Sequence, residues 1–182
     1  MTTSKWILDP THSEVHFKIK HLMISTVTGQ FKNFSGSIET QGDDFKTANI
    51  KFSADINSIS TNNEQRDEHL KNGDFFDAAN HPQLLFEGSK LVETGEGNFT
   101  VNGILTMKGI SKPVALDVEF GGITTDPWGN TRTGFEITGK IKRADFGVSF
   151  GLVSETGHVM LGEEVKLFAN AEFVKEAVAQ PA

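Results

Sequence analysis

Apolar and polar residues alternate with a period of two along most of this chain. Val15, Phe17 and Ile19 are interleaved with His16, Lys18 and Lys20, and Ile50, Phe52, Ala54 and Ile56 with Lys51, Ser53 and Asp55. Phe99, Val101, Gly103, Leu105 and Met107 form another set, followed by Val114, Leu116, Val118 and Phe120, then Phe135, Ile137, Gly139 and Ile141. Val165, Leu167, Ala169, Ala171 and Phe173 close the series. Successive side chains of a strand point to opposite faces, so each segment predicts a strand with one dry and one wet side. Parallel strands, buried on both faces, do not read this way; antiparallel ones do. Gly- and Pro-bearing turns are predicted at residues 94–97, 108–109, 121–122 and 126–130.

About eight such strands predict a closed barrel, which leaves no exposed sheet edge. A two-sheet sandwich is the competing architecture. The segment from Gly97 to Lys108 would span roughly 40 Å at strand rise, whereas sandwich strands are nearer five or six residues. The expected fold class is therefore all-β, an elongated eight-stranded antiparallel barrel with a short helical segment at one end. That segment is residues 61–73, where Asn62 and Gln65 have capping-box spacing and Gly73 suits the residue after a helix. Asp74 would then cap a short turn carrying Phe75 and Phe76, bounded by Pro82. The 182 residues suit one domain over 1–182, with a core at about 6–175 and a tail from Glu176 that frays.

Composition narrows the chemistry. The chain has 15 Phe, no Tyr and no Cys, which means much aromatic area without phenolic groups to satisfy, and no disulfide, thiolate metal site or cysteine nucleophile. A net charge of −7 argues against nucleic-acid partners and against attraction to anionic bilayers. No run approaches the ~18 apolar residues of a membrane span. The first residues hold no apolar signal core, so the expected compartment is the cytoplasm, or the periplasm if a leader has been removed.

Catalytic and metal motifs are not found. His12, His16, His21, His69, His81 and His158 lack ligand spacing, and Gly-x-Ser-x-Gly, His-Glu-x-x-His and phosphate-loop patterns are missing. No catalytic residue, metal or cofactor is assigned. Arg66, Asp67 and His69, with Arg143 and Asp145, form either a headgroup site or a structural network at the barrel mouth. The structural reading is favoured and predicts an Arg66–Asp145 or Asp67–Arg143 ion pair fixing the helix to the rim.

Several motifs together resemble the YceI-like, polyisoprenoid-binding family. These are Trp6-Ile7-Leu8-Asp9-Pro10-Thr11-His12-Ser13, Gly29-Gln30-Phe31, Arg66-Asp67-Glu68-His69-Leu70, Asp74-Phe75-Phe76-Asp77, Gly103-Ile104-Leu105-Thr106-Met107-Lys108-Gly109 and Arg143-Ala144-Asp145-Phe146-Gly147. The resemblance implies a lipocalin-like barrel, often a homodimer, holding a long isoprenoid or similar amphiphilic lipid of the polyprenyl phosphate or isoprenoid quinone class. Periodicity by itself leaves a lipid tunnel and a packed core equally open. The small inward residues Ala54, Gly103, Gly139, Ala169 and Ala171 lean towards a channel. The candidate lumen residues are Phe17, Ile19, Phe52, Ala54, Phe99, Val101, Leu105, Leu116, Val118, Phe135, Ile137, Gly139, Leu167, Ala169 and Phe173. The alternatives are an enzyme that modifies such a lipid in the same cavity, or a ligand-free structural or stress protein. The enzyme would need ionisable groups pointing inward, and the alternating sets contain none.

Overall fold

The computed structural model describes residues 2–150 and 161–177, and over these the strands form one closed antiparallel barrel. Three barrel strands are bent into two pieces each. β1 (Thr3–Leu8) and β2 (Glu14–His21) are separated by a 3₁₀ turn at Pro10–His12. β3 (Ser25–Phe31) and β4 (Phe34–Gln41) follow, then β5 (Asp44–Asp55) and the short β6 (Ile59–Ser60), parted by a turn at Ile56–Ser58. Helix α1 (Glu64–Lys71) interrupts the meander. β7 (Gln83–Gly95), β8 (Asn98–Met107), β9 (Ile110–Thr125), β10 (Thr131–Lys142) and β11 (Leu161–Lys175) complete it.

The ring runs β1-β4-β5-β7-β8-β9-β10-β11 and closes where β11 meets β1, at Trp6↔Lys175 and Leu8↔Phe173. β11 exchanges partners along its length, because its earlier residues pair with β2, from Val165↔Ile19 to Asn170↔Glu14. Each bend lets one long strand serve the ring at one end and the opposite rim at the other. At that rim β6 pairs only with β3, through Gln30↔Ser60 and Phe31↔Ile59, among the described residues. Leu70 of α1 and Phe76 pack there against Phe17, Phe31, Ile56 and Ile59, so the helical segment covers the rim beside β6.

Two local expectations are corrected. Gly121-Gly122 is not a hairpin turn: β9 runs through it to Thr125, and the pairing with β10 slips between Thr133 and Phe135 as a bulge. Gly122 takes φ +97°, so the glycine serves a bulge rather than a reversal. The helix is capped one residue later than its spacing suggests. Asn62 adopts a left-handed φ of +63°, and Asn63 becomes the N-cap, its Oδ1 accepting the Arg66 N–H at 3.0 Å. The helix ends at Asn72 in an extended conformation, without a left-handed glycine.

Candidate functional site

The barrel interior is divided between an aromatic floor and a hollow. Phe45 lies 5.3 Å from both Phe120 and Phe135 by ring centroid, Phe135 lies 5.9 Å from Phe173, and the fully buried Trp6 lies 5.2 Å from Phe45. These rings fill the end where β1 closes the ring. The Trp6 indole N–H donates to the buried Thr40 hydroxyl at 3.3 Å, so the floor carries no orphaned donor at that position.

Above the floor the inward face turns from buried to half-buried. Ile50, Phe52, Val114, Leu116, Ile137, Val165 and Leu167 belong to the inner apolar set yet keep accessible surface, because they wall a cavity of about 510 Å³. That volume lies within the range of small-molecule pockets, about 300–1,000 Å³. β11 lines it from Leu161 at the mouth to Phe173 at the floor. This path is roughly 30 Å along the barrel, given strand rise and the usual tilt. At the mouth His69, Phe75 and Phe150 form a triangle of rings with centroids 5.0 to 5.3 Å apart.

Most of the predicted lumen residues line this cavity: Phe17, Ile19, Phe52, Val101, Leu105, Leu116, Val118, Phe135, Ile137, Leu167, Ala169 and Phe173. Ala54, Phe99 and Gly139 do not. Ala54 is buried among Phe17, Ile56 and Ile59, and Phe99 stacks edge-on against Phe120 behind the floor. Gly139 is covered by its cross-strand neighbour: a Cβ placed there would meet Leu116 Cδ2 at 2.4 Å. Gly103 is likewise covered by the Phe86 ring, 2.5 Å from such a Cβ. These glycines admit a neighbouring side chain rather than open a channel, whereas Ala169 and Ala171 do border the hollow.

The mouth differs from expectation. Neither Arg66–Asp145 nor Asp67–Arg143 forms an ion pair. Arg66 Nε donates to the Thr61 hydroxyl at 2.7 Å and its Nη2 to the Thr61 carbonyl at 2.6 Å. Asp67 Oδ1 accepts the Thr61 N–H at 2.8 Å and the Thr61 hydroxyl at 2.6 Å. Both helix residues thus grip Thr61, the residue that follows β6, and have no need of a partner across the barrel. His69 meets Asp74 at 3.0 Å, and Asp145 is exposed. Arg143 is buried, with Nε donating to the Gly162 carbonyl at 2.9 Å and Nη1 to the carbonyls of Val148 and Phe150 at 3.0 and 2.6 Å. Among the described residues its Nη2 has no hydrogen-bond partner, and burial pushes its pKa down, partly offset by Glu163. Arg66, His69, His21 and Arg143 line the cavity towards its mouth, ionisable groups outside the alternating inward sets. Among the described residues no carboxylate does. His158 and the end of the tail lie outside the described residues.

Comparison with known proteins bears on this geometry. The YceI-like domain matches residues 6–173. This chain belongs to the YceI-like family. It is 41% identical over 171 residues to the UPF0312 protein SA2479 of Staphylococcus aureus, covering 93% of this chain and 97% of that one. It is 32% identical to the Campylobacter jejuni YCEI protein, with a TM-score of 0.73 over 88% of this chain and 91% of that. A polyisoprenoid binding domain from Saccharophagus degradans shares the fold at a TM-score of 0.73 and 18% identity, over 94% of this chain and 98% of that.

The motifs that carry the YceI-like resemblance have distinct physical duties in this barrel. Asp9 caps the Pro10–His12 turn, accepting the Thr11 N–H at 3.0 Å and its hydroxyl at 2.7 Å, while Ser13 Oγ accepts the Glu172 N–H at 2.9 Å. Gly29 leaves room for the Phe17 ring, which lies 2.2 Å from where a Cβ would stand. In Arg143–Phe146 the phenyl ring is buried at 1% exposure, and Gly147 ends the turn at φ +74°. What the sequence reading missed is a clasp at the closed end. Asp9, His12 and Glu172 gather within 4.8 Å in the manner of a metal site, but Arg132 Nη1 sits on two of them, at 2.9 Å from Asp9 and 3.0 Å from Glu172. Arg132 Nε donates to Asp126 at 2.7 Å.

Proposed function

We propose that this barrel binds a long isoprenoid lipid, its tail in the cavity between floor and mouth and its headgroup among the polar residues of the mouth. The observation that carries the reading is the half-buried inner face: apolar side chains that would fill a packed core instead border about 510 Å³ of space. The polyisoprenoid binding domain of S. degradans, alike in fold, supports the class of ligand.

Magnitudes favour a long tail. Each buried CH₂ contributes roughly 0.8 kcal/mol, so a five-carbon unit contributes about 4 kcal/mol. Association costs an estimated ~4–15 kcal/mol before net affinity appears. One or two units bind poorly; several bind well without any strong polar contact. For the headgroup, the Nη2 of buried Arg143, without a partner among the described residues, offers a donor at the mouth, and no carboxylate among the described residues lines the cavity. An oxygen-rich acceptor fits, and a polyprenyl phosphate fits better than a quinone because a charged acceptor strengthens the bond.

Mass spectrometry of an organic extract of the purified protein tests this reading, together with titration of the delipidated protein with a fluorescent long-chain prenol. Recovery of polyprenyl species, or saturable binding that lengthens with the chain, supports it. Protein without lipid from several expression hosts, and without saturable binding, overturns it.

A further inference from the structure

We propose that the β2–β3 hairpin tip docks the barrel mouth onto an anionic lipid bilayer. This goes beyond cargo binding and stands on separate observations.

The tip is Leu22-Met23-Ile24, exposed at 45%, 60% and 84%. It is a three-residue loop between the paired His21 and Ser25, its tight turn closed by the Ile24 N–H donating to the His21 carbonyl at 3.2 Å. Leu22 and Met23 take φ of +52° and +59°. Hairpin turns with both central residues at positive φ ordinarily use Asn, Asp or Gly, which adopt that region at little cost and are at home in water. Leu and Met are costly there twice, in backbone strain and in exposed apolar surface. Strain of this kind persists where the residue serves something other than the fold. The tip also stands at the cavity entrance, since His21 and Val27 on either side line the cavity.

The second observation lies on the outer wall of β2 and the two strands beside it, β11 and β10. Lys18 of β2 faces Lys166 of β11, and Lys166 faces Lys140 of β10, a row of exposed lysines across three neighbouring strands. None of the three makes a salt bridge among the described residues. Like charges directly opposite destabilise a sheet, so the row works against the fold. Four residues further along the strands, towards the floor, the aligned positions are Glu14, Asn170 and Glu136. Nearer the mouth Lys142 faces Glu164 and Lys20 is exposed as well, so the face is net basic there and acidic roughly 13 Å below the lysine row. A net charge of −7 conceals this local order. At physiological ionic strength charges act over roughly 8 Å, so a bilayer at the mouth would feel the lysine row more than the acids below. Apolar residues at the tip and lysines behind it are complementary to the acyl boundary and the phosphate layer of an anionic bilayer. The orientation turns the cavity mouth to the membrane.

Co-sedimentation with vesicles tests the proposal, using phosphatidylcholine alone and phosphatidylcholine doped with phosphatidylglycerol, at about 0.05 M and 0.5 M salt. The parent chain is expected to bind the doped vesicles at low salt and to weaken at least about tenfold at high salt. Met23→Asp with Ile24→Asp is expected to abolish binding, and Lys18→Gln with Lys140→Gln and Lys166→Gln to weaken it about tenfold or more. Circular dichroism shows whether each variant is folded, and an Ile24→Trp reporter in the otherwise native chain should shift to the blue on binding. Three results overturn the proposal: no binding by the parent, binding that neither variant alters, or a change of solution mass in the Met23/Ile24 variant with vesicle binding intact. The last would assign the tip to a second copy of the chain. Because empty protein serves in every arm, failure here leaves the cargo reading untouched, and loss of the cargo reading leaves this one standing.

Discussion

Arg132 Nη1 donates to Asp9 Oδ2 at 2.9 Å, tying β10 to the turn that bends the first barrel strand. The same nitrogen reaches Glu172 at 3.0 Å, and Nε reaches Asp126 at 2.7 Å. One guanidinium therefore holds the β1–β2 bend, the β9–β10 hairpin and β11 together at the closed end. Its five fixed donors suit this task, and Lys could not reproduce the fork. Arg132→Met leaves Asp9, Asp126 and Glu172 gathered without a cation. Thermal melts should show a lower Tm for this variant than for Asp126→Asn, which removes one acceptor and leaves the cation in place. Equal Tm values for the parent and Arg132→Met would show that the clasp is incidental.

The same clasp predicts acid sensitivity. The Arg132 guanidinium, aided by the N–H groups of Asn130 and Trp128, holds Asp126 down to about 2. The Thr11 hydroxyl and His12, with Arg132, hold Asp9 well below the usual carboxylate range. Carboxylates so depressed bind fewer protons folded than unfolded. The stability they add is complete above the unfolded pKa of about 3.9 and is lost as pH falls through the folded value. Urea midpoints should therefore drop between about pH 4 and pH 2. Asp9→Asn with Asp126→Asn should flatten that slope while lowering the midpoint at neutral pH. An unchanged slope would assign the acid transition to other carboxylates.

The period-two pattern made the inner face readable because a dry face is apolar whether it surrounds a solid core or a hollow. For the same reason it did not separate Ala169, on the cavity wall, from Gly139, hidden beneath Leu116. Local spacing placed the helix to within a residue, but the partners of Arg66 and Asp67 turned out to be local too, both on Thr61. The Arg132–Asp9 bond spans 123 positions, and only strand pairing brings the two together. The lysine row is equally silent in sequence, since Lys18, Lys140 and Lys166 become neighbours only through the register of three strands.

Ala169 and Gly139 should respond differently to added bulk. Ala169 borders open space, so Ala169→Phe projects a ring into the cavity and should lower bound lipid with little change in Tm. Gly139→Phe must displace Leu116 from a filled position and should cost roughly 1–3 kcal/mol as overpacking. Extracted lipid per mole and Tm, measured on both variants, check the contrast. Equal destabilisation by both would mean that the interior around Ala169 is solid.

Helix α1 buries none of its residues fully and depends on its cap and on Thr61. Thr61→Val removes the hydroxyl that donates to Asp67 and accepts from Arg66. Hydrogen bonds to charged groups contribute about 1.5–3 kcal/mol. Amide exchange within the helix should therefore accelerate by roughly ten- to a hundredfold, because local opening needs less free energy than global unfolding. Protection in β8 and β10 should hold. A uniform loss across the barrel would mean that helix and barrel open as one unit.

Arg143 separates the structural and ligand duties of the mouth. Its Nε and Nη1 hold the carbonyls of Gly162, Val148 and Phe150, and in the proposed reading Nη2, without a partner among the described residues, meets the headgroup. Arg143→Met should therefore lower Tm and also erase any preference for a prenyl phosphate over the matching prenol, by about tenfold or more. Arg143→Lys keeps the charge but loses the fork, so its Tm should fall while a reduced preference for the phosphate survives. The decisive measurement is the ratio of the two affinities, because loss of structure weakens phosphate and alcohol alike and leaves their ratio unchanged. A parent protein that binds both equally, or a ratio that Arg143→Met does not move, would confine Arg143 to holding the backbone.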